Sequence, residues 1–296
     1  MFIQASDLAY PRHISGEVDL LSRALGAADR VYLFLDYGGT LVSGPPDAGA
    51  RPAPEVLEKL EQLARVDSFS VFVLSHRTVD ELEELLGIEG IGLVGQRGFE
   101  IRKANGPTVH SMDPGLARDL IQHLELDVHA CLTSYKGLEI ENRGFALAMR
   151  LACKDAKVAR QATQRFTSLV RAVDALGQLE IYYGDDLVEA RMGGWHKGDA
   201  VTQLLKEADA RDSLAIYVGD DMTDEDGFEA VTLWSQSTVP DLPWFMADPD
   251  DDDAPSALTI LVSPEARPTR ASLFVRGPSE VHEFLSSLAA IAANIL

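Results

Sequence analysis

The chain has 296 residues, 46% of them hydrophobic and 7% aromatic, which is enough to bury the core of one large domain or two ordinary ones. Its formal net charge of −21 argues against nucleic acid or an anionic membrane surface as a partner, because proteins bind phosphate backbones mainly through Lys and Arg. No basic region followed by an apolar stretch opens the chain, and no apolar run approaches roughly 18 residues, so we predict no signal peptide or membrane span and expect a cytoplasmic location.

The first third of the chain alternates helical patterns with short apolar runs. The runs at 31–35 and 70–74 lack the alternation of a half-exposed strand, so we expect strands that are covered on both faces. Thr78 and Glu81 fit a capping box at a helix start. Repeated strand–helix units favour an α/β fold, a Rossmann-like doubly wound parallel sheet with right-handed crossovers. The predicted elements are a helix at 18–25, a strand at 31–35, a loop at 43–54, a helix at 54–63, a strand at 70–74, a helix at 78–86 and a strand at 91–95.

Between residues 104 and 190 the pattern changes to a small α+β module. Strand–helix units precede and follow this module, so we predict an insertion rather than a tandem domain. The expected domains are a core of residues 1–103 and 191–296 and an inserted domain of residues 104–190. The predicted elements of the insertion are a helix at 115–126, strands at 138–141 and 145–149 with a turn between them, a helix at 155–176, and strands at 179–183 and 187–191 with a turn at 184–186.

The core pattern resumes at Lys197, which starts a helix predicted to run to about residue 208. A strand at 213–218 ends in an acidic cluster at 219–226, further strands are predicted at 258–262 and 271–275, and a helix at 279–289 closes the chain. The acidic run at 248–253 lacks the interleaved Gly of a calcium loop, so we interpret it as a solvated loop. Cys131 and Cys153, the only cysteines, have neither metal-ligand nor redox spacing and are interpreted as buried thiols.

Five polar residues are predicted to meet at one edge of the parallel sheet, where open α/β sheets bind their ligands. Asp36, Ser75 and Asp220 follow predicted strands, Asp224 comes four residues later, and Lys197 starts a helix. Because Mg²⁺ takes hard oxygen ligands, and because an ammonium group and a hydroxyl offset phosphate charge, this set suggests a magnesium-dependent phosphoryl site. Asp36 would then attack phosphorus and form an aspartyl-phosphate. Singly, each residue also fits an ordinary role: Asp36 in a solvated turn, Ser75 as a helix cap, Lys197 as a surface charge and Asp220 at a helix start.

Six short motifs resemble those of the trehalose-6-phosphate phosphatases, a family of the haloacid dehalogenase (HAD) superfamily. The most specific is GDDMTDEDGF at 219–228, which resembles GDDxTDEDxF. LDYGGTL at 35–41 resembles LDYDGTL, LSHR at 74–77 resembles ISGR, and Lys197-Gly198 resembles the family's lysine-glycine motif. ENR at 141–143 and VEAR at 188–191 resemble the sugar-binding ENK motif and the VExR segment. The resemblance extends from about residue 30 to about residue 290.

By this resemblance, residues 1–103 and 191–296 form a HAD-like hydrolase core, and the insertion is a mobile cap that closes over the sugar. The resemblance also implies roles for individual residues. Asp36 is expected to be the nucleophile, and Ser75 and Lys197 are also expected to be catalytic. The expected phosphate-binding residues are Thr40, Ser75, His76 and Lys197; the expected Mg²⁺ ligands are Asp36, Gly38, Asp220 and Asp224; and the expected substrate-binding residues are Arg77, Arg97, Glu141, Asn142, Arg143 and Glu189.

The sequence departs from the family pattern at four places. Gly38 stands where the family has its general acid/base aspartate, and loss of such a group costs roughly 10²–10⁴-fold in rate. Arg97 lies in a QRG segment where GNHG-like residues are usual, and Arg143 replaces a lysine, so the sugar specificity stays open. His76 replaces the glycine of ISGR and is either a substitute proton donor or a loop residue that contacts substrate or solvent.

Three functions remain open from the sequence. The first is a Mg²⁺-dependent phosphatase that acts through Asp36 on a disaccharide or pseudo-disaccharide phosphate, with acid/base catalysis altered by Gly38. Its substrate would come from a trehalose-phosphate-synthase-like glycosyltransferase. The second is an inactive sugar-phosphate-binding or regulatory module. The third is a different HAD chemistry in which the substrate or an outside group supplies the proton, including phosphoryl transfer to an acceptor other than water.

Overall fold

The structure, a computed structural model, describes residues 8–43, 49–152, 155–184, 186–236 and 256–295. These residues fall into two compact units, one within Met1–Val109 and His196–Leu296, the other within His110–Trp195. The acidic run at 248–253, Cys153, and parts of the predicted loop at 43–54 and turn at 184–186 lie outside the described residues.

The first unit contains one large sheet with helices, and its elements are interrupted in the chain by those of the second unit. Before the interruption they are β1 (Arg12–His13), α1 (Val18–Ala27), β2 (Arg30–Asp36), α2 (Pro54–Ala64), β3 (Phe69–Leu74), α3 (Val79–Leu86), β4 (Gly92–Gly95), β5 (Glu100–Arg102) and β6 (Thr108–His110). The second unit contains α4 (Pro114–Leu132), β7 (Leu138–Asn142), β8 (Ala146–Leu151), α5 (Ala156–Val173), β9 (Leu179–Tyr183) and β10 (Leu187–Met192). The first unit then resumes with α6 (Lys197–Leu205), β11 (Ser213–Gly219), α7 (Glu225–Gln236), β12 (Ala257–Val262), β13 (Leu273–Val275) and α8 (Pro278–Ile295).

The large sheet has the strand order β1-β13-β12-β11-β2-β3-β4-β5-β6. Every pairing from β1 to β4 is parallel, whereas β5 pairs with β4 in the antiparallel direction. A short connection suffices for an antiparallel neighbour, and here a single turn at Gln96–Gly98 joins β4 to β5. The predicted doubly wound parallel sheet is therefore confirmed, with an unpredicted antiparallel addition at one edge.

The core of the first unit lies on both faces of this sheet. Leu33 and Leu35 of β2 belong to a buried cluster with residues of α1, α2, α3 and α8. Phe34, which points the other way, packs with residues of α6 and α7. Full burial of each such side chain stabilises the fold by about 1.5–3 kcal/mol. This double coverage explains why the strand sequences are continuously apolar.

The second unit is a four-stranded antiparallel sheet, ordered β7-β8-β10-β9, with α4 and α5 on one face. Two hairpins pair through β8 and β10. Leu147, Met149 and Val188 point into the helical side, so alternate residues occupy the other face. The predicted turn before β8 is present, where the Asn142 carboxamide oxygen accepts a hydrogen bond from the Gly144 backbone N–H at 2.8 Å.

Several local predictions need correction. The strands β1, β5 and β6 were not predicted, because two or three residues carry too little periodicity. Helices α4 and α8 extend further than expected, to Leu132 and Ile295. Cys131 is half-buried rather than buried, with its sulfur 3.5 Å from the Arg165 guanidinium.

Among the described residues, no helix is both long and apolar enough to cross a membrane.

Candidate active site

The carboxyl ends of three neighbouring strands carry the predicted polar residues. Asp36 ends β2, Ser75 follows β3, and Asp220 follows β11. The sheet order places β2 between β11 and β3, with all three parallel, so the three residues lie along one edge. Asp36 and Ser75 are buried although both are polar, and such groups are stable inside a fold only when they are paired or bind a ligand.

Lys197 is the cation of this site. Its ammonium nitrogen lies 2.5 Å from Asp36 Oδ1 and 2.7 Å from Asp224 Oδ1, and its side chain is 3% exposed. Burial alone lowers the pKa of Lys197, but the carboxylates of Asp224 and Asp36 outweigh this and raise it, so the ammonium stays charged. A glycine follows Lys197 because a Cβ on Gly198 would overlap the Asp226 backbone carbonyl, which allows α6 to approach α7 closely.

Asp224 organises the other groups through both of its oxygens. Oδ1 accepts hydrogen bonds from Lys197 Nζ and, at 2.8 Å, from the Tyr217 hydroxyl. Oδ2 accepts the backbone N–H groups of Asp220 and Asp221 at 3.0 and 3.1 Å. Four hydrogen-bond donors therefore hold the carboxylate of Asp224, which is fully buried. Asp224 therefore holds both Lys197 and the loop after β11 in place.

Two other carboxylate oxygens are buried without a hydrogen-bond partner among the described residues, Asp36 Oδ2 and Asp220 Oδ1. One oxygen each of Asp36, Asp220 and Asp224 lies within 4.8 Å of the others. Burial raises the pKa of Asp36 well above its usual range; Lys197 opposes this, and the neighbouring carboxylates add to it. Burial, with Asp224 and Asp221 close by, raises the pKa of Asp220 to about 6. Crowded, unpartnered hard oxygens of this kind fit a divalent cation such as Mg²⁺, which would favour their ionised forms.

The loops after β3 and β4 are bonded to each other beside Ser75. The Arg97 backbone N–H donates to the Ser75 carbonyl at 2.9 Å, and the Gln96 N–H donates to the Arg77 carbonyl at 2.7 Å. Gln96 and Arg97 both have positive φ angles, 48° and 58°, which side-chain-bearing residues rarely adopt.

Within the first unit, Thr40 is fully buried and its hydroxyl has no hydrogen-bond partner among the described residues, so this group is available to a ligand.

In the second unit the structure brings together three of the four predicted sugar-binding residues. The Arg143 guanidinium lies 2.9 Å from Glu189 Oε2 and 2.8 Å from Glu141 Oε2. Glu189 is 3% exposed, so Arg143 balances a buried charge. The Asn142 amide instead donates to Glu125 Oε2 of α4 at 2.6 Å, away from this cluster.

Tyr217 and Arg267, both in the first unit, contact the acidic loop and were not identified from the sequence. Tyr217 is a fully buried tyrosine in β11, and a hydroxyl inside an apolar strand is itself a signal that a polar partner exists. Arg267 donates to the Asp220 carbonyl at 3.0 Å and to Glu225 Oε1 at 3.3 Å. No local pattern indicates Arg267, because it lies 47 residues from Asp220 in the sequence.

Comparisons with known proteins agree with the motifs. The family model described as trehalose-phosphatase matches residues 34–254. The trehalose-6-phosphate phosphatase of Escherichia coli (strain K12) is 31% identical over 205 residues, covering 67% of this chain and 72% of that protein. The bifunctional trehalose-6-phosphate synthase/phosphatase of Thermoproteus tenax is 32% identical over 199 residues, covering 65% of this chain and 26% of that protein. A solved structure of Aspergillus fumigatus trehalose-6-phosphate phosphatase superimposes with a TM-score of 0.65 at 23% identity, covering 95% of this chain and 99% of that one, which shows a shared fold.

Proposed function

The chain belongs to the trehalose-phosphatase family, and we propose that it hydrolyses the phosphate ester of trehalose 6-phosphate or of a similar disaccharide or pseudo-disaccharide. The observation that carries this proposal is the Lys197 ammonium held between Asp36 and Asp224. That arrangement leaves Asp36 Oδ2, which has no hydrogen-bond partner among the described residues, to act as a nucleophile.

In this proposal the reaction has two steps. An oxygen of Asp36 bonds to phosphorus while the ester P–O bond breaks, and the electron pair leaves with the sugar oxygen. Lys197 and the hydroxyls of Ser75 and Thr40 offset the charge of the phosphoryl oxygens. The sugar oxygen takes a proton from solvent. Water then attacks phosphorus and loses a proton to solvent while the bond between phosphorus and the Asp36 oxygen breaks, which releases inorganic phosphate and restores the carboxylate.

The acidic residues would hold the cofactor. We assign Mg²⁺ to the carboxylates of Asp36 and Asp220 with the Gly38 carbonyl, and we give Asp224 the supporting role that its four hydrogen bonds indicate. When bound, the ion would supply Lewis-acid stabilisation of charge on the phosphoryl group.

We assign the sugar to the polar cluster of the second unit. The Glu141 side chain is 53% exposed, so its carboxylate can accept sugar hydroxyls, and Arg143 and Glu189 are assigned with it because the three side chains form one cluster. The remaining assignments rest on the family resemblance alone and are Arg77, Arg97 and Asn142 for the substrate and His76 for the phosphate.

We also propose that the substrate comes from a trehalose-phosphate-synthase-like glycosyltransferase. The similarity to the Thermoproteus tenax protein supports this link, because the name of that protein joins a synthase with a phosphatase. Transfer of a sugar to a sugar phosphate is the class of reaction that yields a phosphorylated disaccharide.

A phosphate-release assay on a panel of sugar phosphates with and without Mg²⁺ tests the proposal. We expect release from trehalose 6-phosphate or a related disaccharide phosphate that requires Mg²⁺ and is abolished by Asp36→Asn. An Asp67→Asn variant, which changes an exposed acid elsewhere, is the matched control. Absence of release from every sugar phosphate would contradict the proposal.

Gly38 favours a second candidate, a sugar-phosphate-binding pseudophosphatase. Glycine has no proton to give to the departing sugar oxygen, and such a donor commonly contributes roughly 10²–10⁴-fold. Tight binding of a disaccharide phosphate in the presence of Mg²⁺, without any phosphate release, would identify this second function.

A further inference from the structure

Tyr182 lies on the face of the second unit's sheet that carries the polar cluster. Its neighbour Ile181 packs with the helices on the other face, and successive residues of a strand point to opposite faces. Tyr182 pairs with Glu189 across β9 and β10, Glu189 pairs with Ala148, and Ala148 pairs with Glu141. These four residues therefore form one row across the sheet, with a carboxylate at one end and an aromatic ring at the other.

The Tyr182 ring is exposed and has the Arg191 guanidinium over one of its faces. The residue is 45% exposed, so its ring is not a core side chain. The Arg191 guanidinium stands over the ring, 5.6 Å from its centre, and pairs with Glu180 at 3.5 Å. The guanidinium therefore occupies one face of the ring, and a sugar would pack against the other face.

The row has the two surfaces that a sugar needs. A pyranose ring has a face of C–H groups and a rim of hydroxyls; aromatic rings pack against the first, and charged groups bind the second. The cluster of Glu141, Arg143 and Glu189 consists of charged groups, and Tyr182 adds an aromatic surface in the same row. Three strand spacings of about 4.8 Å separate the ends of the row, which is room for more than one sugar ring.

We propose that Tyr182 is a sugar platform that takes the apolar face of one pyranose ring while Glu141, Arg143 and Glu189 bind hydroxyl groups. This inference rests on the proposed function, because it assumes that the phosphate ester carries a sugar. It adds a residue that sets specificity, since an aryl or alkyl phosphate without a sugar ring gains nothing from the platform.

The neighbouring tyrosine provides a matched control. Tyr183 is 55% exposed but points to the helical side, where its hydroxyl lies 3.1 Å from Thr167 Oγ1 of α5. Replacing either tyrosine by alanine disturbs the same edge strand, so only an effect specific to Tyr182 reports on the platform.

Calorimetric titration of the full chain carrying Asp36→Asn with trehalose 6-phosphate, and separately with inorganic phosphate, tests the proposal. We expect Tyr182→Ala to raise the Kd for the sugar phosphate about 3- to 10-fold. Tyr182→Phe keeps the ring and should keep the affinity, Tyr183→Ala should leave it unchanged, and all variants should bind inorganic phosphate alike. Thermal unfolding of each variant shows that the fold is retained.

Equal affinity of the Tyr182→Ala variant and its parent would overturn the platform, as would an equal loss in Tyr183→Ala or Tyr182→Phe. A different result, the absence of phosphate release, would show that the proposed function fails. If the unsubstituted chain releases no phosphate but the Tyr182 pattern holds, the platform stands and the phosphatase proposal falls. If the parent binds inorganic phosphate but no sugar phosphate, the platform is overturned, and phosphate release by the unsubstituted chain decides the phosphatase proposal by itself.

Discussion

Gly39 lies so close to Asp220 that a Cβ atom on residue 39 would overlap the Asp220 carboxylate. Gly39 also has a φ of +86°, a backbone conformation that favours glycine. Its neighbour Gly38 differs in both respects, since the position of a Cβ there has no atom within 4 Å and its φ is not in the left-handed region. The two glycines of the turn after β2 thus have different reasons to be there.

Gly39→Ala should weaken both the fold and cation binding. The positive φ alone costs a residue with a Cβ about 1–2 kcal/mol, and the overlap moves Asp220, a proposed Mg²⁺ ligand. Chemical denaturation and calorimetric Mg²⁺ titration measure the two effects. Gly26→Ala, in the open environment of α1, is the control and should stabilise the fold by about 0.5–1 kcal/mol. Unchanged Mg²⁺ affinity in Gly39→Ala would show that this contact does not position Asp220.

Gly38→Asp should raise phosphate release from the sugar phosphate. The open space and ordinary φ allow the new side chain to fit, and a restored general acid/base contributes roughly 10²–10⁴-fold to kcat. Gly38→Asn has nearly the same size but transfers no proton, so it should stay at the level of the unsubstituted chain. A gain as large in the Asn variant would mean that filling the space, not proton transfer, limits the reaction.

Tyr217→Phe should reduce the free energy of unfolding more than Tyr37→Phe does. The Tyr217 hydroxyl donates to the charged Asp224 carboxylate inside the protein, and such bonds contribute about 1.5–3 kcal/mol. The buried Tyr37 hydroxyl donates to the neutral carbonyl of Ala50 at 2.5 Å, where about 0.5–1.5 kcal/mol is expected. Urea denaturation compares the two, and equal losses would remove any special role for Tyr217 in holding Asp224.

Asp220→Asn should stabilise the protein when divalent cations are removed with EDTA. Burial, and after it the neighbouring carboxylates of Asp224 and Asp221, raise the pKa of Asp220, so a neutral side chain removes both the cost of burying a charge and the repulsion. Addition of Mg²⁺ should raise the unfolding temperature of the unsubstituted chain by ligand linkage and that of the variant much less. Asp67→Asn, at an exposed position, should respond to Mg²⁺ like the unsubstituted chain. Equal Mg²⁺ stabilisation of Asp220→Asn would exclude Asp220 as a ligand.

The sequence was sufficient for the family and for the α/β core, both of which are confirmed, because apolar runs fix the buried strands and parallel topology brings their carboxyl ends together. Asp36, Ser75 and Asp220 lie where that rule predicts. The rule says nothing of contacts made by side chains distant in sequence. The Asn142 amide turns to Glu125 because α4 passes beside β7, which no local pattern reveals.

Arg267→Ala should weaken Mg²⁺ binding about 10- to 100-fold, the range typical of residues that orient a metal ligand. Arg267 donates to the backbone carbonyl of Asp220 and so fixes the position from which that carboxylate extends. The fold should lose less than about 2 kcal/mol, because the Arg267 side chain is 34% exposed and Glu225 keeps a hydrogen bond from the Arg270 backbone N–H. Arg270→Ala is the matched control, because Arg270 lies on the same segment as Arg267 but its guanidinium pairs with Glu229 at 3.6 Å. Calorimetry on both variants separates the cases: a loss confined to Arg267→Ala assigns it to ligand orientation, whereas equal losses mean that the segment acts only through the stability of the fold.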